Sequence, residues 1–235
     1  MNQRENRKHQ IEKVLVVSKN LFVTQGYEKT TMRQIVEAAG MTTGSLYNFF
    51  DSKEDILLRL IRDLFSDVPT LADEIVSPDD NPLLRISLEI SLYFYAIEFA
   101  PNLSGLYISI FKSYPAAKLI AHIEARRAIT VMGAALQGHS YVDYYLKNMA
   151  IIGIMQKLLE EREYGDLIFQ FEQIVALIGR YIILLYELPR DIIDEVTGKT
   201  IEIIKRPDVQ KKIGALMDYW LEPVLSKDLV AKLSS

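Results

Sequence analysis

Residues 30–53 read TTMRQIVEAAGMTTGSLYNFFDSK, and the fold of the chain follows from that stretch. Two short amphipathic segments are separated by a glycine. Thr30 or Thr31 offers a hydroxyl to the free amides of a helix start. Ile35, Val36 and Ala39 then share one helical face. Gly40 ends that helix, where a left-handed residue costs little. Thr42 or Thr43 caps a second helix, which buries Leu46 and Phe49 or Phe50 and turns Thr43, Ser45, Tyr47 and Asn48 to solvent. Two helices joined this way form a helix-turn-helix, whose second helix can lie in a DNA major groove.

On the N-terminal side, residues 4–25 form one amphipathic helix, with Ile11, Val14, Leu15, Leu21 and Phe22 at three-four spacing and Gly26 as its stop. Arg4, Arg7 and Lys8 precede the apolar stripe, either as a solvated helix start or as an arm for DNA phosphates. On the C-terminal side, Asp51 or Ser52 caps a further helix over 53–76, with Glu54 and Asp55 in its first turn, where the helix dipole favours acids. Pro69 interrupts its pattern. A loop at 77–82 is followed by helices at 83–100, 102–113, 115–137, 141–163 and 166–188, each bounded by Gly or Pro. Residues 190–206 are ambiguous between strand and helix, and a last helix follows Pro207. The chain is therefore read as all-α.

The composition sets limits. The 235 residues can bury a sizeable core. The net charge of −4 argues against indiscriminate coating of nucleic acid. Residues 1–60 nevertheless hold nine Lys/Arg against seven Asp/Glu, so the proposed DNA-binding part is the positive one. Without cysteine there is no disulfide, thiolate catalysis or Cys-based zinc site. No apolar run is long enough to span a bilayer, so a cytoplasmic protein with no membrane contact is expected. Gly198-Lys199-Thr200 is not a phosphate loop, because position 193 is Ile rather than the required glycine. His122 is expected to pair locally with Glu124 or Arg126, and Glu124 with Arg127 as a surface pair at i,i+3. No catalytic constellation, metal site or cofactor motif is read, so no enzyme is expected.

The central stretch resembles the DNA-binding signature of the tetracycline-repressor (TetR) family of bacterial transcription regulators. The matching residues are Gly26-Tyr27, Thr31, Ile35-Val36-Glu37-Ala38-Ala39-Gly40-Met41, Gly44-Ser45-Leu46-Tyr47, Phe50 and Ser52-Lys53-Glu54. The resemblance covers roughly residues 7–65. Thr43 stands where many members carry Lys or Arg, and Val36 where Ala is frequent. It implies a helix-turn-helix domain over 1–52, a connecting helix over 53–76, and a helical effector-binding and dimerisation domain over 77–235. It also implies a homodimeric, ligand-responsive regulator, a repressor released from a palindromic double-stranded DNA operator. The rival is a TetR-like protein-interaction module without promoter binding.

The expected DNA contacts are Thr31, Thr42, Thr43, Gly44, Ser45, Tyr47, Asn48 and Lys53. Small polar groups at the start of the recognition helix approach base edges, a tyrosine hydroxyl goes to phosphate, and asparagine pairs with adenine. Seven tyrosines between residues 90 and 146 suit a small-molecule pocket with apolar walls and polar tips. Tyr93, Tyr107, Tyr145, Met149 and Gln156 are its candidates, for a small apolar or aromatic effector. Helices 166–188 and about 207–222 are assigned to a four-helix dimer interface. The first is apolar nearly all round, so it is either central in the monomer or packed across a two-fold axis.

Overall fold

The computed structural model describes residues 3–77, 79–99, 103–133, 138–166, 169–189 and 191–225, with side chains described as far as Asp218. Every regular element among them is α-helical. The first four are α1 (Gln3–Thr24), α2 (Met32–Ala39), α3 (Thr43–Tyr47) and α4 (Lys53–Ile75). The body adds α5 (Pro82–Phe99), α6 (Leu103–Lys112), α7 (Tyr114–Met132) and α8 (Tyr141–Tyr164). It ends with α9 (Phe171–Leu185), α10 (Ile192–Lys205) and α11 (Pro207–Leu225).

Local chemistry sets the N-terminal helices. Thr31, not Thr30, caps α2, and Gln34 completes a capping box with it. Thr30 is buried instead, its hydroxyl donating to the Gly26 carbonyl at 2.9 Å. Gly40 closes α2 at φ 60°, a conformation that costs a side chain more than it costs glycine. Thr42 caps α3 and Ser52 caps α4. At five residues α3 is too short to persist alone. Leu46, at 0% exposure, holds it in a core with Val14, Phe22, Ile35, Ile56 and Leu57. Burying a leucine contributes about 1.5–3 kcal/mol.

α5 is the axis of the body. It packs against α4, α7, α9 and α10, and it buries Leu88, Leu92, Phe94 and Ile97 together with polar Ser87, Glu89 and Ser91. The expected 166–188 helix is shorter and not central. α9 begins at Phe171, after Gln170 and Gln173 close a capping box, and it turns Tyr181 and Leu184 outward. Leu167 and Ile168 lie outside the described residues, as does 134–137, the expected end of α7.

Residues 190–206 resolve into a helix, α10. Its β-branched residues form the buried face (Val196, Thr197, Thr200 and Ile204) against α5 and α9, and tertiary packing overrides local propensity. The Thr200 hydroxyl lies 2.8 Å from the Val196 carbonyl oxygen and 2.9 Å from the Ser87 hydroxyl. α11 buries Val209, Ile213 and Met217 and packs on α1, α10 and α5. The apolar stripe of Val209, Ile213 and Met217 thus faces the inside of the monomer. Trp220, within the span assigned to the dimer interface, lies outside the described side chains.

α4 runs unbroken through Pro69. A proline there has no N–H for the Phe65 carbonyl, a local defect in the ladder. Pro69→Ala restores that donor and is expected to raise unfolding free energy by about 1–3 kcal/mol. Denaturant unfolding followed by helical circular dichroism checks it, and an unchanged or lowered midpoint would show that the ladder is not weakened there.

Candidate nucleic-acid interface and interior polar cluster

α3 presents one apolar and one polar face. Thr42, Thr43, Gly44, Tyr47 and Asn48 are exposed, with Tyr47 at 48%, and Ser45 is half-buried. The Thr42 hydroxyl accepts from the Ser45 amide at 3.2 Å and sits 2.8 Å from the Ser45 hydroxyl. The turn is therefore pre-formed, and amides near the start of α3 point outward, where an anion would be favoured.

Beside this helix the start of α1 forms an open cleft. Gln3, Arg4, Asn6, Arg7 and Gln10 face Ser45, Asn48 and Phe49 across a volume of about 830 Å³. The Arg7 guanidinium lies over the Phe49 ring, 5.3 Å from its centroid. Two arginines thus flank the exposed face of α3. Of these cleft residues, the sequence pointed to Arg4 and Arg7 and missed Gln3, Asn6 and Gln10, whose uncharged side chains carry no signal in charge patterning.

Thr31 and Lys53 occupy different positions. Thr31 is exposed at the start of α2, its hydroxyl engaged with Gln34. The Lys53 ammonium donates to the Tyr27 carbonyl at 2.6 Å and stands 4.1 Å from the Tyr27 ring centroid. It clasps the loop after α1 to the start of α4, so any phosphate contact would share an ammonium already committed inside the domain.

Among the described residues of the body, the five effector candidates are spread over α5, α6 and α8. An apolar cavity of about 40 Å³ lies between α1, α4, α6 and α11. Leu57, Leu60, Ile61 and Leu64 of α4 form one wall, with Leu106, Tyr107 and Ile110 of α6 opposite. Only Tyr107 of the five reaches it. Tyr93 is buried and stacks on Phe65 of α4 at 4.6 Å between centroids. Tyr145 is half-buried beneath His122, 4.6 Å between ring centroids. Met149 is half-buried against the core, and the Gln156 amide donates to Glu160 at 2.9 Å.

The pairings expected around His122 are corrected. His122 bonds the Tyr141 hydroxyl rather than Glu124 or Arg126. Arg127 turns away from Glu124. Its Nε and Nη2 donate to Glu89 at 3.0 and 2.6 Å, and Nη2 also reaches Asp73 of α4 at 2.6 Å. Glu89 is almost wholly buried, and leaving it without a cation would cost several kcal/mol. That demand outcompetes the local i,i+3 partner, worth about 0.2–0.5 kcal/mol.

Glu124 is therefore left half-buried without a cation of its own. Its Oε1 is inaccessible and has no hydrogen-bond partner. Tyr93, 3% exposed, sets its hydroxyl toward the Glu124 carboxyl, and Tyr144, 2% exposed, has a buried hydroxyl without a partner among the described residues. Burial, reinforced by the Glu89 charge, pushes the Glu124 carboxyl up to about 8. Tyr186 completes the cluster, its hydroxyl accepting from the Asn148 amide at 3.1 Å. No local pattern signals this arrangement, because His122, Glu124 and Arg127 read equally well as a solvated helix face.

Comparison with known proteins bears on both regions. Residues 14–60 match the bacterial regulatory proteins of the tetR family. The HTH-type transcriptional repressor KstR2 of Rhodococcus jostii (strain RHA1) is 30% identical over 94 residues, 40% of this chain and 46% of that protein. KstR2 of Mycobacterium tuberculosis (strain CDC 1551 / Oshkosh) is 34% identical over 85 residues, 36% of this chain and 42% of that protein. The match thus spans less than half the length of these curated relatives. The crystal structure of RolR in complex with the ligand resorcinol aligns with TM-score 0.59 at 14% identity, covering 83% of this chain and 96% of that one. The chain therefore shares its fold with RolR, while the N-terminal match carries the sequence relationship. Residues 14–60 are thus similar to the N-terminal domain of the tetR family of bacterial regulatory proteins, and the chain as a whole has a fold like that of RolR.

Proposed function

We propose that the chain is a ligand-responsive, DNA-binding transcriptional regulator that acts as a homodimeric repressor. The observation that carries this reading is α3, held by Leu46 and offering only polar groups to solvent, with Arg4 and Arg7 beside it. Residues 1–52 are read as the DNA-binding domain and 77–235 as the effector and dimerisation domain. Thr42, Thr43, Gly44, Ser45, Tyr47 and Asn48 are read as the contact surface, with Thr31 and Lys53 as flanking backbone contacts. Base edges supply specificity and phosphates supply affinity.

A five-residue recognition helix reads too few base pairs alone. Two copies related by a two-fold axis would set them about 34–36 Å apart on a palindromic operator. Exposed apolar side chains support a dimer face on α8 and α9. Val142 and Leu146 of α8 are each 59% exposed, and Leu184 of α9 is 51% exposed. These side chains add α8 to the helices expected at the two-fold axis.

The effector would act through α4, which walls the apolar cavity and leads to the DNA-binding domain. At about 40 Å³ the cavity is far below the roughly 300 Å³ of a drug-sized pocket, so filling it requires α4 or α6 to move. A coupling of about 1–3 kcal/mol between the two sites would change operator occupancy about 5–150-fold. RolR binds resorcinol within the same fold, and a small aromatic or apolar effector is carried over on that footing.

Two measurements test this reading. Selection from a random duplex library should retain a palindrome, with binding that weakens steeply with salt. Tyr47→Ala should weaken binding about 5–30-fold on every retained sequence, measured by fluorescence anisotropy. No retained sequence, or an unaffected variant, would count against the assignment. Leu146→Glu should convert the dimer to monomer in sedimentation and lower operator affinity at least tenfold, since charge at an apolar interface is strongly disfavoured. A variant that still sediments as a dimer would move the interface elsewhere.

A further inference from the structure

The outward side of α3 is divided in two by its neighbours. Thr43 and Tyr47 are exposed and stand outside the cleft beside α1. Ser45, Asn48 and Phe49 form the other edge, and they make one wall of that cleft. The second wall is the start of α1, QRENRKHQ at residues 3–10. Gln3, Asn6, Arg7 and Gln10 follow the i, i+3, i+4, i+7 spacing of one helical face, and Arg4 joins them. Glu5, the acid of that first turn, is not part of the wall. The cleft therefore carries two guanidiniums and no carboxylate, and every lining side chain except Phe49 can hydrogen-bond. Among the described residues, no side-chain hydrogen bond ties Gln3, Arg4, Asn6, Gln10 or Asn48 to the rest of the protein.

Phe49 has a different role. Phe50 takes the buried position, and Phe49 stays half-buried with its ring beneath the Arg7 guanidinium, 5.3 Å from the centroid. A ring face attracts a cation and so restrains where it points. Arg7 is thereby held toward α3 and over the cleft.

The shape of the cleft selects among the parts of a duplex. Grooves admit a rod such as α3, and sugar–phosphate ridges stand between the grooves. A concave, cationic, acid-free trough fits a ridge, whereas a flat base edge would leave it unfilled. With α3 as the rod, the strand that borders its groove runs between α3 and the start of α1.

We propose that this cleft seats one sugar–phosphate strand of a DNA duplex, with Arg4 and Arg7 gripping it from one side and Ser45 and Asn48 from the other. This rests on the DNA-binding reading above and divides the labour within it. Asn48 contacts backbone in place of the adenine that its side chain suggests. Base reading is left to the face around Thr43. Phe49 is a positioning residue that aims Arg7.

The test measures fluorescence anisotropy of the full chain and its variants between about 50 and 200 mM salt. The probes are the palindrome retained from the random library, a fixed mixed-sequence duplex, and one strand of that duplex. Arg7→Gln and Arg4→Gln should each weaken both duplexes about tenfold. Each should also lower the slope of log affinity against log salt by about 0.9 per protomer, because a phosphate contact is lost. Arg7→Lys keeps the charge and should keep the slope. Asn48→Ala should weaken binding about fivefold with the order of preferred sequences unchanged. Phe49→Leu should weaken binding about threefold in the parent and have no further effect in Arg7→Gln, as expected of a ring that acts through the arginine. Arg4, Arg7 and Asn48 are exposed, so unchanged helical circular dichroism separates these losses from unfolding.

An unchanged salt slope in both arginine variants would overturn the proposal. So would a changed base preference at one operator position in Asn48→Ala, or a single strand bound as tightly as the duplex. A Phe49→Leu loss that persists in Arg7→Gln would overturn the positioning role. If no palindrome is retained but the mixed duplex shows the expected losses, the regulator reading fails and the strand seat stands. A retained palindrome with the cleft variants unaffected overturns this inference alone, and a chain that binds no duplex overturns both.

Discussion

The ion cluster that joins Asp73, Arg127 and Glu89 is the constraint on which the two halves of the molecule depend. Asp73 belongs to α4, whose other end carries Ile56 and Leu57 into the core of the N-terminal domain. Arg127 and Glu89 belong to α7 and α5 of the body. Ser113, at the start of α7, adds a hydrogen bond to Glu54 at 2.9 Å, and Lys212 of α11 pairs with Glu74. α4 is therefore gripped near both ends by the body while it forms part of the N-terminal core. A displacement of α7 or α6 cannot be absorbed locally, because packed interiors shift between discrete arrangements rather than deform smoothly.

The N-terminal domain was legible because its signals are local. Thr31, Gly40, Thr42 and Ser52 each act within three or four residues, so cap chemistry places three helices without knowledge of the fold. Leu46 and Phe50 follow from helical periodicity alone. The body was legible only as a succession of helices. Which apolar face meets which neighbour depends on distant pairings such as Thr200 with Ser87, and local sequence carries no trace of them. The same limit applies to α11, whose packing on α1 leaves no local trace in the sequence.

Glu124 shows the limit most sharply. Its neighbours at i−2 and i+3, His122 and Arg127, are suitable partners by spacing, and both are engaged elsewhere. Glu89, 38 residues from Arg127 in sequence, takes the guanidinium because its burial makes the pairing more valuable. An acid left over in this way has no signature of its own.

The smallness of α3 has a consequence for how such a protein diversifies. One inward leucine anchors the helix, and the exposed side chains of Thr43 and Tyr47 take no part in its cap. Mutational drift can therefore rewrite those outward positions one at a time without eroding the fold. Relatives with the same scaffold are free to diverge in the promoters they address, and a laboratory library varied at the same few codons would retain a largely intact population from which new targets can be drawn.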